Sequence, residues 1–64
     1  MLIPESVKRA ARVLEESGEP HWSVEAGEWS IDRTSIGCDV WRGQVGWGAP
    51  TLAEAISKAE AADA

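Results

Sequence analysis

Residues 21–32, HWSVEAGEWSID, decide how the chain folds, because their apolar side chains recur at every second position. Trp22, Val24 and Ala26 alternate with Ser23 and Glu25; Trp29 and Ile31 alternate with Ser30 and Asp32. A strand sends successive side chains to opposite faces, so this period predicts two half-buried strands joined at Gly27-Glu28. A third apolar series, Ile36, Cys38 and Val40, follows a turn expected over 32–35. Arg42-Gly43-Gln44 offers another turn, after which Val45 and Trp47 form either a short fourth strand or an extension of the third.

On either side of this region the period is that of a helix. Val7, Ala10, Ala11 and Leu14 stand at i, i+3, i+4 and i+7, which lines up one apolar stripe over residues 4–17. Pro4 suits a first helical position, Gly18 a C-terminal stop, and Pro20 bars continuation. Glu5 can meet Lys8 and Arg9 on the outer surface, and Arg12 can meet Glu15 and Glu16, at spacings that bring helical side chains together. Downstream, Pro50-Thr51 opens a second helix, with Thr51 and Glu54 spaced as a capping box. Its inward stripe is Leu52, Ala55, Ile56 and Ala59, and its alanine-rich end AEAADA is expected to fray.

The predicted fold class is therefore α+β: helix, three or four antiparallel strands, helix, in a single domain over residues 1–64. Both helices are expected on one face of the sheet, which leaves the other in water. That open face would carry Ser23, Glu25, Ser30, Asp32, Gly37, Asp39 and Trp41. Sixty-four residues are close to the lower limit for a self-sufficient core, and four Trp, each able to bury about 150–250 Å², are the means of building one. Trp22, Trp29 and Trp47 are expected inside. Trp41 follows Val40, so it falls on the polar side of a regular strand, or turns inward if a bulge occurs at 39–40.

Several function classes lose support at this point. Cys38 is the only cysteine and His21 the only histidine, so no internal disulfide or zinc cluster can be assembled, and His21 has no Cys, Asp or Ser partner at a recognised spacing; no catalytic residue, metal or cofactor is expected. Cys38 reads as a small buried apolar residue and His21 as a loop residue. GQVGWG, residues 43–48, lacks the lysine of a phosphate loop, and its glycines are read as shaping turns. MLIPESVKRA has no long apolar run, and no segment approaches the 18 apolar residues of a membrane span, so a cytoplasmic protein is expected.

Charge is distributed unevenly. The formal net charge is −5, yet residues 13–32 hold six acids and no base, while the other 44 hold five acids and six bases. Like charges repel and cost a small domain stability. They serve either solubility, as on many surfaces, or a basic partner. The second reading assigns partner contact to Glu15, Glu16, Glu19, Glu25, Glu28 and Asp32, with Trp41 as an apolar anchor.

In the acidic stretch LEESGEPHWSVEAGEWSID at 14–32, small size and lack of a catalytic set, the chain resembles the small phage-encoded anti-CRISPR proteins that mimic DNA. Its ending GWGAPTLAEAISKAEAA looks like the C-terminal helix of many short phage proteins. The resemblance implies an inhibitor in the bacterial host cytosol that blocks target DNA binding at a basic surface of a CRISPR effector subunit. It carries no residue motif. The alternative is an interaction module with another partner, and a homodimer through an edge strand or Trp41 is compatible with either. The element order is also similar to the double-stranded RNA-binding domain, but only Lys58 stands where such a domain grips phosphate, flanked by Glu54 and Glu60.

Overall fold

The computed structural model describes residues 3–63. The chain runs α1 (Glu5–Glu16), β1 (Trp22–Ala26), β2 (Trp29–Thr34), β3 (Gly37–Arg42), β4 (Val45–Ala49) and α2 (Leu52–Asp63). The strands form one antiparallel meander in the order β1-β2-β3-β4. Both helices cover the same face, α1 over β1 and β2, and α2 over β3 and β4. This is the α+β arrangement that the two periods predict, with four strands: β4 pairs with β3 on its own account.

The covered face supplies the core. Trp22, Trp29, Ile31, Cys38 and Val40 from the sheet meet Ile3, Val7 and Ala11 from the first helix and its approach, and Leu52, Ala55 and Ala59 from α2. Leu14, Val24, Trp47, Ala49 and Ile56 pack around them, half-buried. Alanines at positions 11, 55 and 59 are fully enclosed, which lets the helix backbones lie close to the sheet. Gly18 ends α1 as expected, with φ at +82°, a conformation in which a Cβ is unfavourable. Thr51 caps α2 by accepting the Glu54 N–H on its hydroxyl at 3.3 Å. The helix then continues to Asp63, so only the last residue of the segment expected to fray lies outside the described residues.

Four local readings are corrected. The turn expected over 32–35 is Ser35-Ile36, because the ladder between β2 and β3 continues to Thr34 opposite Gly37. Ile36, read as inward, occupies the tip of that turn and is 91% exposed. Arg12 does not meet Glu15 or Glu16; it reaches back to Glu5 at 3.4 Å, and Glu15 turns toward the sheet. Of the glycines in GQVGWG, only Gly43 lies in a turn, while Gly46 and Gly48 lie within β4 beneath side chains of β3.

Candidate interaction surface

With both helices on one side, the other side of the sheet has no cover. Its side chains are fixed by strand alternation and register. One cross-strand row reads Glu25, Ser30, Trp41, Gly46, and the next reads Ser23, Asp32, Asp39, Gly48. No bulge interrupts β3, so Trp41 points outward and is 41% exposed. Its indole lies down on the sheet. A Cβ at Gly46 would come within 2.6–2.8 Å of ring atoms Cε3, Cζ3 and Cδ2, so the space a side chain would need is filled by the ring. One ring face rests on the Gly46 backbone and the other is turned to solvent.

In the adjacent row two carboxylates oppose each other, Asp32 on β2 and Asp39 on β3. Like charges directly across a ladder are destabilising. Burial pushes the Asp32 carboxyl above its ordinary range and the charge of Asp39 pushes it further. Asp32 Oδ1 is enclosed and accepts no hydrogen bond. Asp39 leans over Gly48, where a Cβ would stand 2.7 Å from its Oδ1. Glycine at 46 and 48 thus admits both the ring and the carboxylate.

All six bases lie elsewhere. Lys8, Arg9, Arg12 and Lys58 belong to the helices, and Arg33 and Arg42 point to the helix side of the sheet. Arg33 donates to Glu15 at 3.0 Å and to the Cys38 sulfur at 3.2 Å. Arg42 meets Glu28 at 3.1 Å and lies over the Trp29 ring, 5.7 Å from its centre. Among the described residues, then, no ion pair reaches Glu25, Asp32 or Asp39 on the open face.

The six carboxylates of residues 13–32 are not gathered in one place. Glu25 and Asp32 share the open face. Glu15 is drawn to the helix side, where besides Arg33 it accepts the Trp22 indole N–H at 3.3 Å. Glu28 is paired with Arg42 at the β1–β2 turn. Glu16 and Glu19 are exposed at the end of α1 and in the loop beyond it. Among the predicted contact residues, then, the structure brings together Glu25, Asp32 and Trp41. It adds Asp39, Gly46 and Gly48, which the prediction of contacts omitted. Asp39 was legible from its place between Cys38 and Val40; the glycines announced themselves only by alternating with Val45, Trp47 and Ala49 inside a strand, a pattern that signals close approach of a neighbour.

The rest of the surface offers less. A shallow cleft of about 300 Å³ between the end of α1 and the β2–β3 turn is lined by Glu15, Glu19, Arg33 and Thr34, but its one cation is held by Glu15. Cys38 is buried and His21 is exposed in the loop before β1. Among the described residues no group of three or more His, Cys, Asp or Glu is arranged to hold a metal ion. No helix among them is long and apolar enough to cross a membrane. No family model matches the chain, and no curated protein or solved structure shows significant similarity to it.

Proposed function

We propose that this protein is a small interaction module that docks a basic protein partner on the uncovered face of its sheet. One observation carries the reading: Asp32 and Asp39 face each other across the ladder, beside an exposed Trp41, on a surface with no base of its own. Such a pair costs stability in the free protein. A cation brought by a partner to this pair offsets the repulsion. Trp41 supplies the kind of aromatic anchor that dominates interface energetics. On this reading the protein binds and does no chemistry of its own, and it works in the cytoplasm, where basic nucleic-acid-binding proteins are plentiful.

In the narrower form of the proposal, the partner is the DNA-recognition surface of a bacterial CRISPR surveillance complex and the carboxylates stand in for phosphates. The acid excess of residues 13–32 supports it. The ion pairs of Glu15 and Glu28 count against it, since a DNA mimic needs its charges free and regularly spaced. The wider form is the one the geometry favours.

Affinity capture from bacterial lysate with the wild-type chain, a Glu25→Lys/Asp39→Lys variant and a Glu16→Lys/Glu19→Lys variant tests the assignment. A basic protein held by the wild type and the second variant, and lost by the first, is the expected result. Retention by the first variant, with its fold verified by circular dichroism, rules the sheet face out as the contact.

A further inference from the structure

Resting on that reading, we infer that the open face is a seat for an arginine side chain of the partner, stacked on the outer face of Trp41 with its guanidinium turned to Asp39. Three features of the face select arginine over lysine. The first is the attitude of the ring. Because the indole lies flat on Gly46, it presents a face rather than an edge to the approaching group, and a planar guanidinium stacks on such a face whereas a compact ammonium does not.

The second is spacing. Trp41 and Asp39 are two residues apart on one strand, so they project side by side at roughly 7 Å, and Asp32 lies directly across from Asp39. One guanidinium over the ring, which stands above Gly46, can thus turn its N–H groups to the Asp39 carboxylate, which leans over Gly48 on the same strand. A fork of donors matches the two oxygens of that carboxylate better than a point charge does. The third is the floor around the ring. Ser30, opposite Trp41, and Ser23 on β1 carry short side chains, so an incoming backbone can lie low on that side of the sheet and run its side chain along the surface. Glu25, in the same row as Trp41 and two strands away, remains for a second cation.

Arginine is also the less strongly hydrated of the two cations, so it gives up less water on an open surface such as this. Docking would hold Asp32 in its ionised form, opposing the effect of its burial and of Asp39.

The test uses two blocked peptides of equal length, hexa-arginine and hexa-lysine, titrated into the 15N-labelled chain. The Trp41 indole N–H and the amides of β2 and β3 are expected to shift, with hexa-arginine about fivefold tighter, the ratio that about 1 kcal/mol represents. Trp41→Leu should bring the two peptides to equal affinity, and Asp39→Asn should weaken both, each variant being checked for wild-type amide dispersion. Equal affinities of the two peptides at this face overturn the arginine seat and leave the basic-partner reading standing. Shifts confined to Glu16 and Glu19, or no shifts with either peptide, overturn both. An arginine preference that survives in Trp41→Leu overturns the stacking on which the inference depends.

Discussion

Asp32 and Asp39 are the two residues at which the fold works against itself. Directly opposed like charges on a ladder cost about 0.2–1 kcal/mol relative to a neutral pair, and here no base on the same face offsets the loss. The sign of the pH effect follows from the direction of the shift. The folded chain binds the Asp32 proton more tightly than the unfolded chain does, because burial and the neighbouring carboxylate both disfavour the charge. Stability from this group is therefore greatest in acid, and it declines as pH rises from the ordinary carboxylate range through the raised value. At neutral pH the cost is fully present. Asp32→Asn is accordingly expected to raise the melting temperature at pH 7 by a few degrees, in keeping with the sensitivity of so small a domain. At pH 3, where the wild-type carboxyl is protonated in both states, the gain should vanish. Thermal melts at the two values check it, and an unchanged or lowered melting point at pH 7 contradicts the account. A residue that can be improved so simply is most readily explained by a use other than stability.

Strand β4 raises a different problem, that of an edge. Among the described residues it pairs only with β3, and its sequence VGWGA gives its outward face no side chain of its own beyond Cα at positions 46 and 48. Lys58 of α2 reaches across and donates to the Gly48 carbonyl at 3.0 Å, and the charge it holds beside the edge is one of the recognised deterrents to strand-on-strand association. Lys58→Ala should leave the melting temperature within about 2 °C, since an exposed contact of this kind contributes little. It should increase self-association, read as a concentration-dependent rise in sedimentation coefficient. A variant that stays as monodisperse as the wild type removes Lys58 from this role.

The same strand marks how far sequence reading carries. Its existence was open from sequence, because Val45 and Trp47 are too few to distinguish a new strand from an extension, and only the pairing of Cys38 with Ala49 through Arg42 with Val45 decides the matter. The helices and the first hairpin were legible because each follows one period without interruption. Ile36 was misread for the opposite reason. It fits the alternation of β3, but Thr34 ties down the tip of the hairpin by accepting the Ile36 N–H at 3.4 Å and donating to the Gly37 carbonyl at 3.2 Å, and apolar identity does not outweigh that local geometry. The open face was legible as a list of residues. What was not legible was which carboxylates stay free, since the partners of Glu15 and Glu28 lie 18 and 14 residues along the chain, on strands whose register must be known first.

At the scale of the whole molecule the chain divides into two similar halves, α1-β1-β2 and β3-β4-α2, each a hairpin covered by its own helix. Several connections hold the halves together, among them the shared core, the Arg42–Glu28 ion pair and the Arg33–Cys38 hydrogen bond. The β2–β3 ladder is the largest, running from Trp29 opposite Arg42 to Thr34 opposite Gly37. At one end of the sheet the Gly43 N–H donates to the Glu28 carbonyl at 2.9 Å, joining the two outer turns. On the covered side the helices touch through Lys8, which meets Glu60 of α2 at 2.9 Å and Glu5 of its own helix at 3.2 Å. The Lys8 side chain is only 15% exposed, so its stem packs between the helices while its charge is shared by two carboxylates. Glu60 and Glu5 hold its ammonium above the ordinary lysine range, against the opposing effect of burial. A raised lysine stabilises the fold at every pH below its unfolded value and loses that contribution only as pH climbs through the folded one, so it is fully present at neutrality. Lys8→Met keeps the apolar stem and deletes the charge. It is expected to lower stability at pH 7 by about 1 kcal/mol, the upper end for a pair at a protein surface, with a smaller difference in 1 M salt. Because Lys8 is the ionic tie between the helices, the loss should appear as faster amide exchange in both α1 and α2, with the exchange of the central β2–β3 ladder following global stability alone. Exchange that accelerates only in α1 would mean that the halves are joined through the sheet, and that the helices cover it independently.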